Sequence, residues 1–296
     1  LLSANELAAR DTMRKGRSRL YIWLVGGVGV AVCAMVIGLI ATIIVQGMPA
    51  ISWEFLSSAP DEGMTSGGIW PMIRGSLLLM GGTLVVVLPL GILGGICLAE
   101  YAGDSKATKL MRACVTSLAG TPSIVFGLFG LAIFVLMFKL GFSLLAGWFT
   151  LSLFALPVIV LSTENAIKAV PDSLVEAGLA LGLSKWQTIA KIVLPHALPG
   201  IMTGVVLSSG RAAGEAPPIF LTAGVYFATG ALTWDWAMLR KPVANLPYHL
   251  AEGYRQGGVI PAKIIWGTCL TLMVFVLLIN LGAIIVRARM RWKTQL

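Results

Sequence analysis

Residues 171–195 read PDSLVEAGLALGLSKWQTIAKIVLP, a polar interruption with helical patterning between two long apolar runs. Ser173 and Glu176 stand three apart ahead of an apolar run, the spacing of a capping box in which hydroxyl and carboxylate satisfy each other's free backbone N–H groups. Leu174, Ala177 and Leu181 then fall on one helical stripe. Gly182 ends the segment, because glycine adopts a left-handed C-cap without steric penalty. Ser184 and Gln187 make a second capping box and open a second helix, with Trp186, Ile189, Ala190 and Val193 at helical spacing. Pro195 disfavours helix at Leu194 and closes it. The result is a helix–turn–helix at a membrane surface. Amphipathicity alone fits either a pair lying in the headgroups or one gripped by a soluble partner.

The chain around this stretch is greasy. Of 296 residues, 57% are hydrophobic and 12% charged, half the charge of an ordinary soluble domain at about 25%, so a soluble globular fold is excluded. Six apolar runs reach the ~20 residues that cross a bilayer as helix, near 20–46, 72–98, 113–138, 143–163, 198–221 and 263–286. Barrel-type alternation is absent, so the expected fold is an all-α integral membrane protein of six transmembrane helices. The first run exceeds a signal-peptide core and is read as an anchor. The chain divides into a basic tail (1–19), a first helix with its outer loop (20–71), a five-helix core (72–286) and a second basic tail (287–296).

Basic residues set the orientation. Arg10, Arg14, Lys15, Arg17 and Arg19 precede the first run, and Arg287, Arg289, Arg291 and Lys293 follow the last. Lys106, Lys109 and Arg112, then Lys168, Lys185 and Lys191, lie on the same side, whereas 47–71 holds Glu54, Asp61 and Glu62 and no Lys or Arg. Both termini are therefore expected in the cytoplasm. The net charge of +9 belongs to these flanks and does not call for nucleic acid. Cys33, Cys97, Cys114 and Cys269 sit in apolar runs without metal spacing, and two histidines make no cluster, so no metal site is expected. With no GxxxxGK[ST] loop, the chain is not expected to hydrolyse ATP, and it offers no catalytic residue or bound cofactor.

Glu176-Ala177-Gly178, Gly182 and Ile192-Val193-Leu194-Pro195 reproduce, with Gly178 in place of an alanine, the signature EAA---G---------I-LP. This resembles the coupling loop of type I ABC importer permeases. The resemblance extends over GGIWP (67–71), LPLGILGGICLAEYAG (88–103), AGTPSIVFGLFGL (119–131), LSTENAIKAVPDSL (161–174), GIMTGVVLSSGRAAGEAPPIFLTAG (200–224) and VANLP (243–247). Together these are similar to the A-type permease subunit (PstA-type) of bacterial high-affinity phosphate importers, with GRAAGEAPP departing from a GETAP form. The resemblance implies a plasma (inner) membrane subunit partnered by a second, homologous permease. Two copies of a cytoplasmic ATPase using ATP and Mg, and an extracytoplasmic phosphate-binding protein, complete the complex it implies. Glu176, Ala177, Gly178, Gly182, Ile192, Leu194 and Pro195 would then form the ATPase-coupling surface.

The residues themselves speak for an anion. Arg211 falls ~20 Å along the fifth run, where a charge costs at least ~2.5 kcal/mol unless it faces protein, water or a partner charge. Glu215 is four residues on, Gly210 and Gly214 flank the arginine, and Pro217-Pro218 break the helix beyond. One reading is a buried ion pair locking two helices. The other places Arg211 and Glu215 in a substrate path, the guanidinium matching phosphate oxygens and the carboxylate competing for it so that the anion leaves. Arg74, Thr121 and Ser123 are weaker path candidates. Trp234, Trp236, Tyr248 and Tyr254 suit an interfacial belt or a protein-docking surface, and glycine pairs at 81–82 and 94–95 suit close helix packing. Rival functions are a permease for another oxyanion and an ion-coupled secondary transporter, for which the 171–195 loop would have no use.

Overall fold

The computed structural model describes residues 4–61, 65–103, 105–225, 236–255, 258 and 260–293, and the chain there is almost wholly helical. Helix α1 spans Ala4–Gly47, α2 Trp53–Ser57, and α3 Trp70–Ile96 with a π-helical end at Cys97–Tyr101. Two two-residue strands, β1 (Pro60–Asp61) and β2 (Ser66–Gly67), pair antiparallel between α2 and α3. Helix α4 is Lys106–Ala119, and α5 (Ser123–Gly130) runs into a π-helix at Leu131–Met137. Then come α6 (Leu144–Lys168), α7 (Asp172–Ala180), α8 (Lys185–Thr188), a π-helical turn (Ile189–Val193), and α9 (Leu194–Ala213). The short α10 (Pro217–Phe220), α11 (Leu246–Arg255) and α12 (Ala262–Lys293) complete the chain.

Helix α6 is the centre of the bundle, with Ile159 and Leu151 essentially inaccessible. Lipid tails are as apolar as the side chains they would replace, so close fit and interhelical hydrogen bonds hold such helices together. Gly82, Gly91 and Gly95 of α3 let Trp148, Ile159 and Thr163 of α6 press onto its backbone. Trp148 Nε1 donates to the Leu78 carbonyl at 2.9 Å and Ser152 Oγ to the Thr83 carbonyl at 3.2 Å, pinning the register of the two helices. On the other side of α6, Gly200 and Gly204 of α9 face Ala166 and Ser162. Helix α12 lies against α9 where Gly210 meets Asn280, and α1 touches α12 at Gly47, opposite Trp266 and Leu270.

Among the described residues, five helices are long and apolar enough to cross a membrane, six if a bent pair counts as one span. The run expected at 113–138 is that bent pair: Lys106–Ala119 and Ser123–Met137 meet at 105°. The cause is local. Pro122 stands at the N-cap of α5 in a non-helical conformation, and α4 carries Lys106, Lys109 and Arg112, which a spanning helix would not tolerate. The fifth run also differs from 198–221. One continuous span, Lys185–Ala213, includes α8, and the chain breaks at 214–216 before α10.

Pro195 therefore does not close the second helix. It lacks an N–H to give to the preceding turn, and the π-helical turn resolves the mismatch, the Leu194 N–H reaching back five residues to the Ile189 carbonyl. Proline then sits in the first turn of α9, where a missing N–H costs little.

Candidate functional site: coupling helices and translocation path

At one end of the bundle α7 and α8 form the helix–turn–helix expected at 171–195. The second capping box is present: Ser184 Oγ accepts from the Gln187 N–H at 3.3 Å and Gln187 Oε1 from the Ser184 N–H at 2.9 Å. The first is not. Helix α7 starts at Asp172 behind Pro171, so Ser173 is already inside the first turn, where it cannot act as the cap. Gly182 adopts φ +80°, and its N–H reaches the Leu179 carbonyl at 2.9 Å while the Leu183 N–H reaches Gly178 at 3.2 Å. That doubly bonded left-handed cap is what a glycine supplies.

Gly178, the position that departs from the signature, is buried between the helices. A Cβ there would sit 2.7 Å from Ile192 Cδ1 and 2.8 Å from Thr188 Cγ2. The glycine lets α7 settle directly onto the π-helical turn. The buried side of the pair is Gly178, Ile189 and Val193, with Leu174 and Ile192 packed partly against it. The stripe expected on the second helix faces inward at Ile189, Ala190 and Val193, with Trp186 left 53% exposed, whereas the one expected on the first is rotated away beyond Leu174: Ala177 is exposed and Leu181 is 82% exposed. The turn between the two helices is only four residues long, 181–184, so close packing at Gly178 decides which face of α7 turns inward. Glu176 and Gly182 are also exposed, whereas Leu194 and Pro195 are partly covered.

This tip is tied to the rest of the bundle by cations. Lys185 donates through Nζ to the Glu100 carbonyl at the π-helical end of α3, lies 3.9 Å from Glu100 Oε2, and sits 4.8 Å from the Tyr101 ring centre. Arg112 of α4 donates to the Leu98 carbonyl at 3.1 Å and, through Nε, to Glu164 Oε1 at 2.7 Å. Lys168 reaches the same oxygen at 2.7 Å. Positive groups at the carboxyl end of α3 complement its dipole and free carbonyls. Glu164 is only 4% exposed, and its two cations offset the cost of burying it.

Arg211 lies in the last turn of α9. Its guanidinium carbon is 4.5 Å from the centre of the Phe154 ring on α6. Phe154 is ten residues from Leu144 and fourteen from Lys168, hence about 15 Å and about 21 Å from the two ends of α6. The charge therefore sits near mid-depth. Glu215 Oε1 is 4.0 Å from Arg211 Nε, close enough to feel the charge and too far to hydrogen bond. The pair lies within one segment, and in this chain by itself the Arg211 side chain is 44% exposed, so the ion pair joins no second helix here. Gly210, the preceding residue, receives the Asn280 side chain, whose buried Oδ1 has no hydrogen-bond partner among the described residues.

The weaker candidates separate by height. Ser123 stands one turn, about 5 Å along α5, before Phe126, whose ring meets Phe154 edge-on at 5.4 Å, so the start of α5 lies near the level of Arg211. Thr121 Oγ1 donates to the Ser117 carbonyl at 3.0 Å, which also accepts the Gly120 N–H at 3.2 Å, so its hydroxyl is engaged by the end of α4. Arg74 is in the first turns of α3, roughly 15 Å from that level. On the side of the bundle opposite α7 and α8, Trp236 and Tyr254 are exposed, while Tyr248 stacks on Phe220 at 4.3 Å; Trp234 lies outside the described residues. Helix α11 there is not one of the spans; Glu252 holds Arg255 bidentately at 2.6 and 2.8 Å, and burial lowers the His249 pKa to about 4.

Glu164, Asn280 and Phe154 were not singled out from the sequence. Glu164 carried a signal, a carboxylate at the end of an apolar run with Lys168 four residues on. Asn280, a polar residue within the last apolar run, carried a weaker one. Phe154 carried none, being one apolar residue among many.

A sequence model of the family described as "Binding-protein-dependent transport system inner membrane component" matches residues 91–291. The probable ABC transporter permease protein YqgI of Bacillus subtilis is 35% identical over 280 residues, covering 91% of this chain and 95% of that protein. The phosphate transport system permease protein PstA of Pasteurella multocida is 37% identical over 246 residues, covering 82% and 84%. Among solved structures, a bacterial ABC transporter that imports the acidic polysaccharide alginate aligns with TM-score 0.64 at 16% identity, over 95% of this chain and 98% of that one. The MetNI methionine ABC transporter aligns with TM-score 0.56 at 21% identity, over 75% and 94%. At those identities the two structures attest the fold alone. With two thirds of its length matched by the family model and these relatives aligned nearly end to end, the chain belongs to the binding-protein-dependent transport system inner membrane components, the permeases of ABC importers.

Proposed function

We propose that this chain is one transmembrane half of an ATP-driven importer of inorganic phosphate, with both termini in the cytoplasm. It pairs with a second permease, two ATPase subunits and an extracytoplasmic phosphate-binding protein, and hydrolyses no ATP itself. Similarity to phosphate permeases of several bacteria supports the choice of phosphate. The observation that carries the mechanism is the continuity of Lys185–Ala213. One helical rod bears the exposed α7–α8 tip at one end and Arg211 at the other, about 39 Å away. A displacement imposed on the tip by a docked ATPase is delivered to the arginine without passing through a loop.

Arg211 suits the path. A half-exposed charge at mid-depth must face protein or water, which supports a face turned toward the second permease and away from lipid. The guanidinium keeps its charge at any working pH and offers paired donors to phosphate oxygens. Glu215, at 4.0 Å, competes for the same charge and keeps the anion from resting there. Arg211→Ala in the reconstituted complex should abolish phosphate uptake while all subunits still purify together. Loss of the assembly instead would make the arginine a structural element.

A further inference from the structure

We infer that Phe154 is a positioning residue for the transport step, an aromatic seat that holds the Arg211 guanidinium while leaving its donors free for the anion. This rests on the reading of Arg211 as a path residue. A cation at mid-depth needs an interaction that holds it, yet a close carboxylate would occupy the N–H groups phosphate must use. The structure meets both demands. The carboxylate of Glu215 stands at 4.0 Å from Nε, outside hydrogen-bond distance, and among the described residues Arg211 donates no hydrogen bond. What it does have is the Phe154 ring, 4.5 Å from the guanidinium carbon.

A ring face attracts a cation through its quadrupole and consumes no donor. Phe154 is itself held still. It is 3% exposed on the central helix, and Phe126 of α5 meets it edge-on, with an angle of 84° between the rings. Phe126 is in turn 3% exposed, and beside it Gly127 lies against the Pro217–Pro218 backbone beyond the break. The seat therefore joins the short helix after the 105° bend to the helix that bears the arginine.

The test uses the whole complex in liposomes, with radiolabelled phosphate uptake and ATP hydrolysis measured side by side. Phe154→Leu should lower phosphate moved per ATP about tenfold with normal subunit recovery, and Phe154→Tyr, which keeps the ring, should stay within about twofold of the original. Arg211→Gln should itself abolish uptake, since the donors that Phe154 seats are then gone. Phe154→Met checks the Phe154→Leu result with a flexible side chain that fills the space. Unchanged uptake in Phe154→Leu, or equal losses in Leu and Tyr, overturns the inference; so does failed assembly of both Leu and Met, which would make Phe154 a packing residue. Normal uptake by Arg211→Gln would instead overturn the path reading itself.

Discussion

Lys185, the first residue of α8, donates a hydrogen bond to the backbone carbonyl of Glu100, the residue before the last of the π-helical end of α3. The bond joins the helix that meets the ATPase in the proposed complex to a span adjoining the central helix. Lys185 is about half exposed, so the link contributes little to stability, on the order of 0–1 kcal/mol. Lys185→Met should leave the melting temperature of the solubilised complex within about 3 °C of the original while phosphate moved per ATP falls severalfold. A melting shift without a transport defect would assign the link to stability alone.

Glu164 presents the opposite case. Its Oε1 accepts from both Arg112 and Lys168 at 2.7 Å, and the carboxylate is almost fully covered. Glu164→Ala leaves two cations without their acceptor and should cost about 1–3 kcal/mol, read as a lower melting temperature by roughly 5 °C. Glu164→Gln keeps an acceptor oxygen and should lose less.

Gly178 tests how α7 seats on the turn below it. Gly178→Ala puts a methyl inside normal contact distance of Ile192 Cδ1 and Thr188 Cγ2; the end of the Ile192 side chain can turn aside and α7 must lift slightly from Thr188, so co-purification of the ATPase should fall by no more than about twofold. Gly178→Leu cannot be accommodated there. It should part the two helices at a cost of about 1–3 kcal/mol and reduce ATPase recovery severalfold.

His249 gives the fold an acid limit on the side away from the coupling helices. Burial holds its pKa at about 4, below the ordinary value of 6.5, so the folded chain keeps the imidazole neutral where an unfolded chain protonates it. Above pH 6.5 both states are neutral and the contribution is complete. Between 6.5 and 4 the unfolded state binds the extra proton, and stability falls by up to about 1.4 kcal/mol per pH unit. Thermal melting from pH 7 to 4.5 should show that slope, and His249→Gln should flatten it.

How far the sequence carried depends on the kind of signal. Long apolar runs and the fixed spacing of Glu176, Gly182 and Pro195 are local, so the spans and the helix–turn–helix were legible. The left-handed Gly182 and the Ser184/Gln187 box are equally local, and both are in place. The passage of helix through Pro195 was not legible, because proline rules assume an α-helix and the chain uses a π-helical turn instead. Nor was the break at Pro122, where apolar residues continue on both sides and only the tilt of the charged α4 distinguishes bend from span. Arg211 was visible as a charge in a greasy run, but its seat on Phe154 is a contact across 57 positions, which no periodicity encodes.

The measurement that bears most directly on the proposed transport is accumulation of labelled phosphate by the complete complex in liposomes, with ATP and the ion gradient varied independently. Uptake that requires ATP on the coupling-helix side, survives collapse of the gradient and favours phosphate over sulfate is the expected result. Uptake that persists without ATP and collapses with the gradient, or accumulation of sulfate in place of phosphate, would contradict it.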